Sequence, residues 1–281
     1  MIALKGITLL ILSLLLAAIA FGIFRYNPFT LANETSKETI IDEEVRNIEI
    51  TTENTAILLL PSENASTEIK VTGDRKNFNL NTFVQEKNLV IETENKNPSS
   101  SSTTEKLPLL TVYVPQPNIV SLTLININGS IEARDVEAYE IGAETDKGDV
   151  DFQNLYMKYI VAKTSNGNIK MKHAEAQLIK AVAMGDIHVE NTFGSFTGIS
   201  SNGNIDVVLD EIMNSMDLNA ENGSISVQTK ESLLDAKVES EAQNGVIDIL
   251  GESDANLVYG EGSYLIKLKA NNGDILFTNE E

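Results

Sequence analysis

The sequence predicts an all-β protein: a parallel β-solenoid of about eight coils with an irregular β cap, preceded by one N-terminal transmembrane helix. Three observations carry this. A glycine turn returns eight times at near-constant spacing, apolar columns keep step with it, and a charge-free apolar run stands near the start of the 281-residue chain. The turns are Asn128-Gly129, Lys147-Gly148, Asn166-Gly167, Met184-Gly185, Asn202-Gly203, Asn222-Gly223, Asn244-Gly245 and Asn272-Gly273. Successive glycines lie 19, 19, 18, 18, 20, 22 and 28 residues apart. A fixed period near 20 residues marks stacked structural repeats.

Each repeat reads outward from its glycine. Two positions after it stand Ile131, Val150, Ile169, Ile187, Ile205, Ile225, Ile247 and Ile275. Four positions after it stand Ala133, Phe152, Met171, Val189, Val207, Val227, Ile249 and Phe277. The residues between are mostly polar, so the period is two and each stretch is a strand with one buried face. Seven positions before the glycine a further apolar column runs through Leu122, Ile141, Ile160, Phe196, Met216, Val238 and Ile266, with Ile179 serving the shorter Gly185 repeat. Close to the turn the inward column shrinks to Thr145, Thr164, Ser200, Ala220, Ala242 and Ala270, which suits a corner. The turn glycines are expected at positive φ, which glycine adopts at little steric cost. Asn-Gly is also a hairpin signal, but the constant period and matched columns favour like positions stacked in parallel over an antiparallel meander.

From the N-terminus, residues 1–6 are expected in the cytoplasm. Residues 7–24 form the transmembrane anchor: ITLLILSLLLAAIAFGIF carries no charge. Eighteen residues span about 27 Å as a helix, close to the hydrocarbon thickness. The Ala18-Ile19-Ala20 triplet resembles a signal-peptidase site, yet the apolar run continues past it through Phe24. Residues 25–44 read as an acidic juxtamembrane spacer. Residues 45–121 read as an irregular β cap: Val45–Pro61 is a degenerate coil, and Glu68–Thr72, Phe78–Val84, Leu89–Thr93 and Leu109–Val114 are further strands. Residues 122–281 hold the repeat solenoid. Its last coil ends the chain, so a lid over that end has to come from the 28-residue gap before Gly273.

Composition narrows the function. The formal net charge of −20 argues against nucleic acid, whose phosphates it repels. There is no cysteine, which excludes disulfides and thiol chemistry. An enzyme acting on an envelope polysaccharide is the alternative reading. It needs clustered acids and bases in a walled groove, whereas the repeat region holds a single arginine, Arg134, and the chain has no tryptophan. His173 and His188 lie in different coils and suggest no zinc site. No catalytic residue, cofactor or metal centre is expected.

One polar constellation stands out. The residue after the turn glycine alternates acid and amide over four coils: Asp149, Asn168, Asp186, Asn204. Stacked acids would repel; alternation lets amides bridge carboxylates, which makes a polar ladder and a weak Ca²⁺ or Mg²⁺ candidate.

The chain as a whole has one anchor segment, an irregular β segment closing on Val112-Tyr113-Val114-Pro115, and repeats of the form NGxI or xGDI. In this it resembles an adhesin-like β-solenoid family of unknown function in Gram-positive bacteria, and is similar to its membrane-anchored LiaG-type members from cell-envelope stress operons. The resemblance covers Val45 to Phe277. It implies an outward-facing solenoid and brings no catalytic residues. The expected protein is therefore a single-pass cell-membrane protein with its C-terminal body outside. It acts without catalysis, as an interaction module for an unidentified protein or cell-wall partner.

Overall fold

The computed structural model describes residues 38–73, 78–95 and 107–279. The stretch read as a transmembrane anchor lies outside these residues. Among the described residues no helix is long and apolar enough to cross a membrane.

Among the described residues, twenty-four strands form two 12-stranded sheets. The strand before each glycine turn joins one sheet and the strand after it joins the other. In the Gly148 coil these are Glu140–Lys147 and Val150–Gln153. Neighbouring coils pair in parallel and in register: Ile141 faces Leu122 on one side and Ile160 on the other, and Val150 lies between Ile131 and Ile169. This is a solenoid, and the hairpin alternative fails on the parallel pairing.

The apolar columns are the core. Phe152, Met171, Val189, Val227 and Phe277 are completely buried, as are Leu122, Ile160, Ile179 and Ile266. Burying each such side chain contributes roughly 1.5–3 kcal/mol. A single coil has nothing to bury these residues against, so the stack folds as a unit.

The glycines are required for a different reason than positive φ. Only Gly129 (φ 141°) and Gly148 (φ 152°) among the eight take that conformation. What all eight share is contact with the coil beside them. A Cβ placed on Gly167, Gly203, Gly223, Gly245 or Gly273 would come within 3.0 Å of the neighbouring corner's backbone. The corners stack backbone on backbone, and only hydrogen fits between them.

The cap region holds more repeats than its sequence advertises. Asn47–Thr52 with Ala56–Pro61 is one full coil, and Asn88–Asn95 with Leu109–Val114 is another. The solenoid thus has ten coils, which account for all but four strands. In the first coil Asn54 (φ 51°) turns the chain without glycine. The coils do not stack in chain order at either end. The strands Asn88–Asn95 and Leu109–Val114 lie outside Asn47–Thr52 and Ala56–Pro61, and beyond them Thr67–Thr72 and Phe78–Gln85 pair antiparallel to close the stack. Glu38–Ile41, at the end of the stretch read as a spacer, adds one more antiparallel strand.

The opposite end departs from expectation. The chain-terminal Gly273 coil is interior, inserted between the Gly223 and Gly245 coils. The Gly245 coil is outermost, and Asn256–Tyr259 covers it on one sheet as an antiparallel strand. That strand does come from the 28-residue gap. By doubling back, the chain places its last strands between two partners instead of at an open edge.

Corner packing gives the first prediction. Gly203→Ala is expected to destabilise by about 2 kcal/mol, and Gly203→Val by about 2–4 kcal/mol, through forced separation of stacked backbones. Gly142, on an outward strand position, has no atom within 4 Å of a built Cβ. Gly142→Ala should therefore change stability by no more than about 0.5 kcal/mol. Denaturant melts of the three variants check this; equal effects at Gly203 and Gly142 would refute the corner model.

Candidate functional site: a polar corner and an aromatic edge

At four of the corners the inward residue, Asn126, Thr145, Thr164 or Ser200, is a hydrogen-bond donor. Asn126 Nδ2 donates to Thr55 O (2.7 Å) and to Gly129 O (3.0 Å). Thr145 Oγ1 donates to Gly129 O (3.0 Å) and Thr164 Oγ1 to Gly148 O (2.7 Å). Ser200 Oγ lies 2.8 Å from Gly185 O and 2.9 Å from Gly203 O, and also accepts from Gly203 N–H. A buried carbonyl without a partner costs about 1–3 kcal/mol, so these hydroxyls stabilise the turn from inside. Their small size was legible in the sequence; their bonding was not.

The outer ladder is real but built differently from the expected amide–carboxylate bridging. Asp149 Oδ1 accepts the backbone N–H of Asn168 (2.8 Å), Asn168 Oδ1 that of Asp186 (2.8 Å), and Asp186 Oδ1 that of Asn204 (2.8 Å). It continues through Asn204 to Ser224, Ser224 to Asp274 and Asp274 to Val246. Each side chain needs only one acceptor oxygen, which explains why Asp, Asn and Ser interchange there. Asp149 and Asp186 are two coils apart, about 10 Å. Calcium holds its oxygens at 2.3–2.6 Å, so one ion cannot bridge both. Among the described residues, no group of three or more His, Asp or Glu is placed to hold a metal ion. The turn asparagines form a second ladder: Asn222 to Asn202 (3.1 Å), Asn272 to Asn222 (2.8 Å) and Asn244 to Asn272 (2.9 Å). It follows the spatial order of the coils.

A second corner escaped the sequence reading. Six positions after the glycine, Asp135, Asn154, His173 and Asn191 take φ of 57°, 54°, 52° and 47°. Asn, Asp and His are the side chains that tolerate this left-handed region best. The recurrence of those types at one offset was the available signal. It assigns His173 a backbone role. His188 lies on an outer sheet face, 3.8 Å from Glu190 Oε2.

Just past that corner, eight positions after the glycine, the chain crosses the narrow edge between the sheets. Glu137, Tyr156, Glu175 and Phe193 are aligned there, each paired with the next across adjacent coils. All four are exposed, Tyr156 at 52% and Phe193 at 53%. Acid and aromatic alternate. An open groove of about 440 Å³ lies on this row, lined by Tyr156, Met157, Glu175, Gln177, Phe193 and Asn214. Beside it Lys158 Nζ sits 5.2 Å from the Tyr139 ring centre and 5.5 Å from that of Tyr159. The hydrogen bond to Tyr139 and the charge of both phenols raise the Lys158 pKa. The sequence analysis missed this edge because the row has no uniform residue type.

The class of protein is now defined: a two-sheet parallel β-solenoid with antiparallel cap strands and an aromatic edge. Residues 45–278 match the family described as Toastrack DUF4097, and the chain belongs to that family. No curated protein matches it. Among solved structures, a putative adhesin from Bacteroides fragilis is 16% identical, with 88% of this chain and 98% of that one covered and a TM-score of 0.50. A putative cell adhesion protein from Clostridium sporogenes is 13% identical, covering 87% of this chain and 99% of that one, with a TM-score of 0.32. A putative adhesin from Parabacteroides distasonis is 9% identical, covering 85% and 95%, with a TM-score of 0.43. At these identities the likeness concerns the fold, and the first of the three carries it.

Two predictions test the corner and the sheet face. Asp186→Asn keeps the acceptor and should leave stability within about 0.5 kcal/mol, while Asp186→Ala should cost about 1 kcal/mol and Ser200→Ala about 1–2 kcal/mol. Urea titrations of the three variants decide it; equal losses for Asp186→Asn and Asp186→Ala would show that charge, not the acceptor, matters.

Asp206 supplies the pH test. Burial raises its pKa above the ordinary 3.8, with Asp186 adding to the rise and His188 opposing it. The folded state therefore holds this proton more tightly than the unfolded chain. Its contribution to stability falls as pH rises from 3.8 through the raised folded value. Asp206→Asn should raise Tm at neutral pH and lose that advantage below pH 3.8. A Tm gain that does not vary with pH would rule out this origin.

Proposed function

We propose that this chain is a non-enzymatic interaction module held at the outer face of the cell membrane by residues 7–24, with its solenoid projecting into the cell envelope. The observation that carries the reading is the exposed aromatic and acidic row on the narrow edge, displayed by a scaffold whose other polar ladders are engaged in holding the coils together. Such a surface binds; nothing beside it is arranged as a nucleophile with a base or as an acid–base pair. The adhesin-like description of the Bacteroides fragilis neighbour agrees with it. The uncharged run before Arg25 supports the anchor. The sequence resemblance to LiaG-type proteins supports a role in the response to envelope stress, with a protein or wall component outside the membrane as the proposed partner.

The absence of native cysteine makes the topology directly testable. Leu234 is 78% exposed. Full-length protein carrying Leu234→Cys should react with a membrane-impermeant maleimide in intact cells, and membranes washed with alkaline carbonate should retain it. Labelling only after lysis would overturn the proposed topology. Turnover of an envelope glycan by the purified protein would overturn the non-enzymatic reading.

A further inference from the structure

We propose that the narrow edge recognises an extended, proline-rich basic segment of a partner protein, laid along the Glu137–Tyr156–Glu175–Phe193 row. This rests on the reading of that edge as the interaction face and specifies its ligand.

The direction of the row comes first. It runs from coil to coil along the solenoid, across the strands. A peptide lying along it cannot add to a sheet, and recognition falls to side chains. The backbone groups of the edge are already paired between coils: Tyr156 N–H donates to Val136 O (3.2 Å), Glu175 N–H to Leu155 O (2.8 Å) and Phe193 N–H to Ala174 O (2.8 Å). A ligand that presents few backbone donors of its own suits such a surface, and proline has none.

The spacing comes second. Tyr156 and Phe193 are two coils apart, which at about 4.8 Å per strand is about 10 Å. A polyproline II helix repeats every three residues and advances about 9 Å per turn. One ring thus meets each turn of the ligand. Aromatic-lined grooves are a known mode of binding this preformed, low-entropy helix. The groove between Tyr156 and Phe193 gives the intervening turn a seat, with Gln177 and Asn214 within its walls as donors to peptide carbonyls.

Charge comes third. Glu175 occupies the place between the rings and Glu137 the place beyond Tyr156, and Glu211 lines the adjoining depression with Phe193. With a net charge of −20 the chain repels anionic polymers and attracts a basic one. An ammonium on this ligand can bond a carboxylate while its stem lies on a ring. The chain itself illustrates the chemistry, since Lys158 lies against both Tyr139 and Tyr159 on the same edge. Cation–π contact of this kind favours lysine and arginine.

The test is calorimetric titration of the full-length protein in mild detergent with a synthetic peptide of repeated Pro-Pro-Lys triplets. Its Pro-Pro-Glu counterpart and a neutral chitin oligomer are run in parallel. The lysine peptide is expected to bind saturably and to weaken as salt rises. Tyr156→Ala and Phe193→Ala should each weaken it on the order of tenfold, and Glu175→Gln should weaken it and flatten the salt dependence. Tyr156→Phe should bind as the parent does, and so should Leu276→Ala on the sheet face. All of these positions are exposed, so melts of the variants should match the parent. No saturation by the lysine peptide overturns the proposal, as does equal binding of the glutamate peptide or affinity unchanged in the ring variants. Binding of the chitin oligomer alone, lost in Tyr156→Ala, overturns the peptide but keeps this edge as the interaction face. A photo-crosslinker at Phe193 separates the two levels in cells. Adducts with an envelope partner, despite failure of the peptide, leave the module standing; no adducts and no binding remove both.

Discussion

Everything in this solenoid depends on how closely its corners approach. At each repeat the turn glycine lies against the backbone of the neighbouring turn, with room for hydrogen and none for a methyl group. That contact sets the stacking distance on both sheets at once. It also removes water from the turn carbonyls, which must then find partners within the protein. The inward Asn126, Thr145, Thr164 and Ser200 supply them. The outward Asp, Asn and Ser oxygens do the same for the next coil's N–H groups. In the Gly148, Gly167 and Gly203 coils, glycine, the small donor three residues before it and the acceptor one residue after it are therefore one device.

Such a stack has two open ends, and a row of unpaired backbone groups invites another chain. The molecule deals with this by abandoning chain order. At each end the two outermost coils are stacked in the reverse of their chain order. Antiparallel strands then finish three of the four sheet edges. The interior position of the Gly273 coil follows from this: its strands pair on both sides, as any central strand does.

The two kinds of polar feature have different fates. The corner ladders are structural because each rung gives an acceptor oxygen to the adjacent coil. The narrow edge is different. Its buried neighbours, Val136, Leu155 and Ala174 on one side and Ala138 and Ala176 on the other, leave the residues between them facing outward. Tyr156 and Phe193 gain no core there. A rigid scaffold holding exposed aromatics at fixed intervals is suited to recognition, since little side-chain freedom remains to be lost on binding.

Much of this could be read from residue order. The period of the glycines, the two-residue alternation around them and the shrinking of side chains toward the turn are local consequences of one strand–turn–strand unit. They determined the fold class, the core columns and the parallel register, because each repeat obeys the same sterics. The ladder at Asp149, Asn168, Asp186 and Asn204 was visible for the same reason. Tertiary structure decided what repetition cannot express. It placed the Gly273 coil inside the Gly245 coil, since the choice of neighbour is made through space. It turned Asn47–Pro61, and the strand pair Asn88–Asn95 with Leu109–Val114, into full coils, because burial between neighbours replaces the missing glycine signal. It also aligned Glu137, Tyr156, Glu175 and Phe193: outward positions are free to vary in type, and only stacking brings four unlike residues into one row.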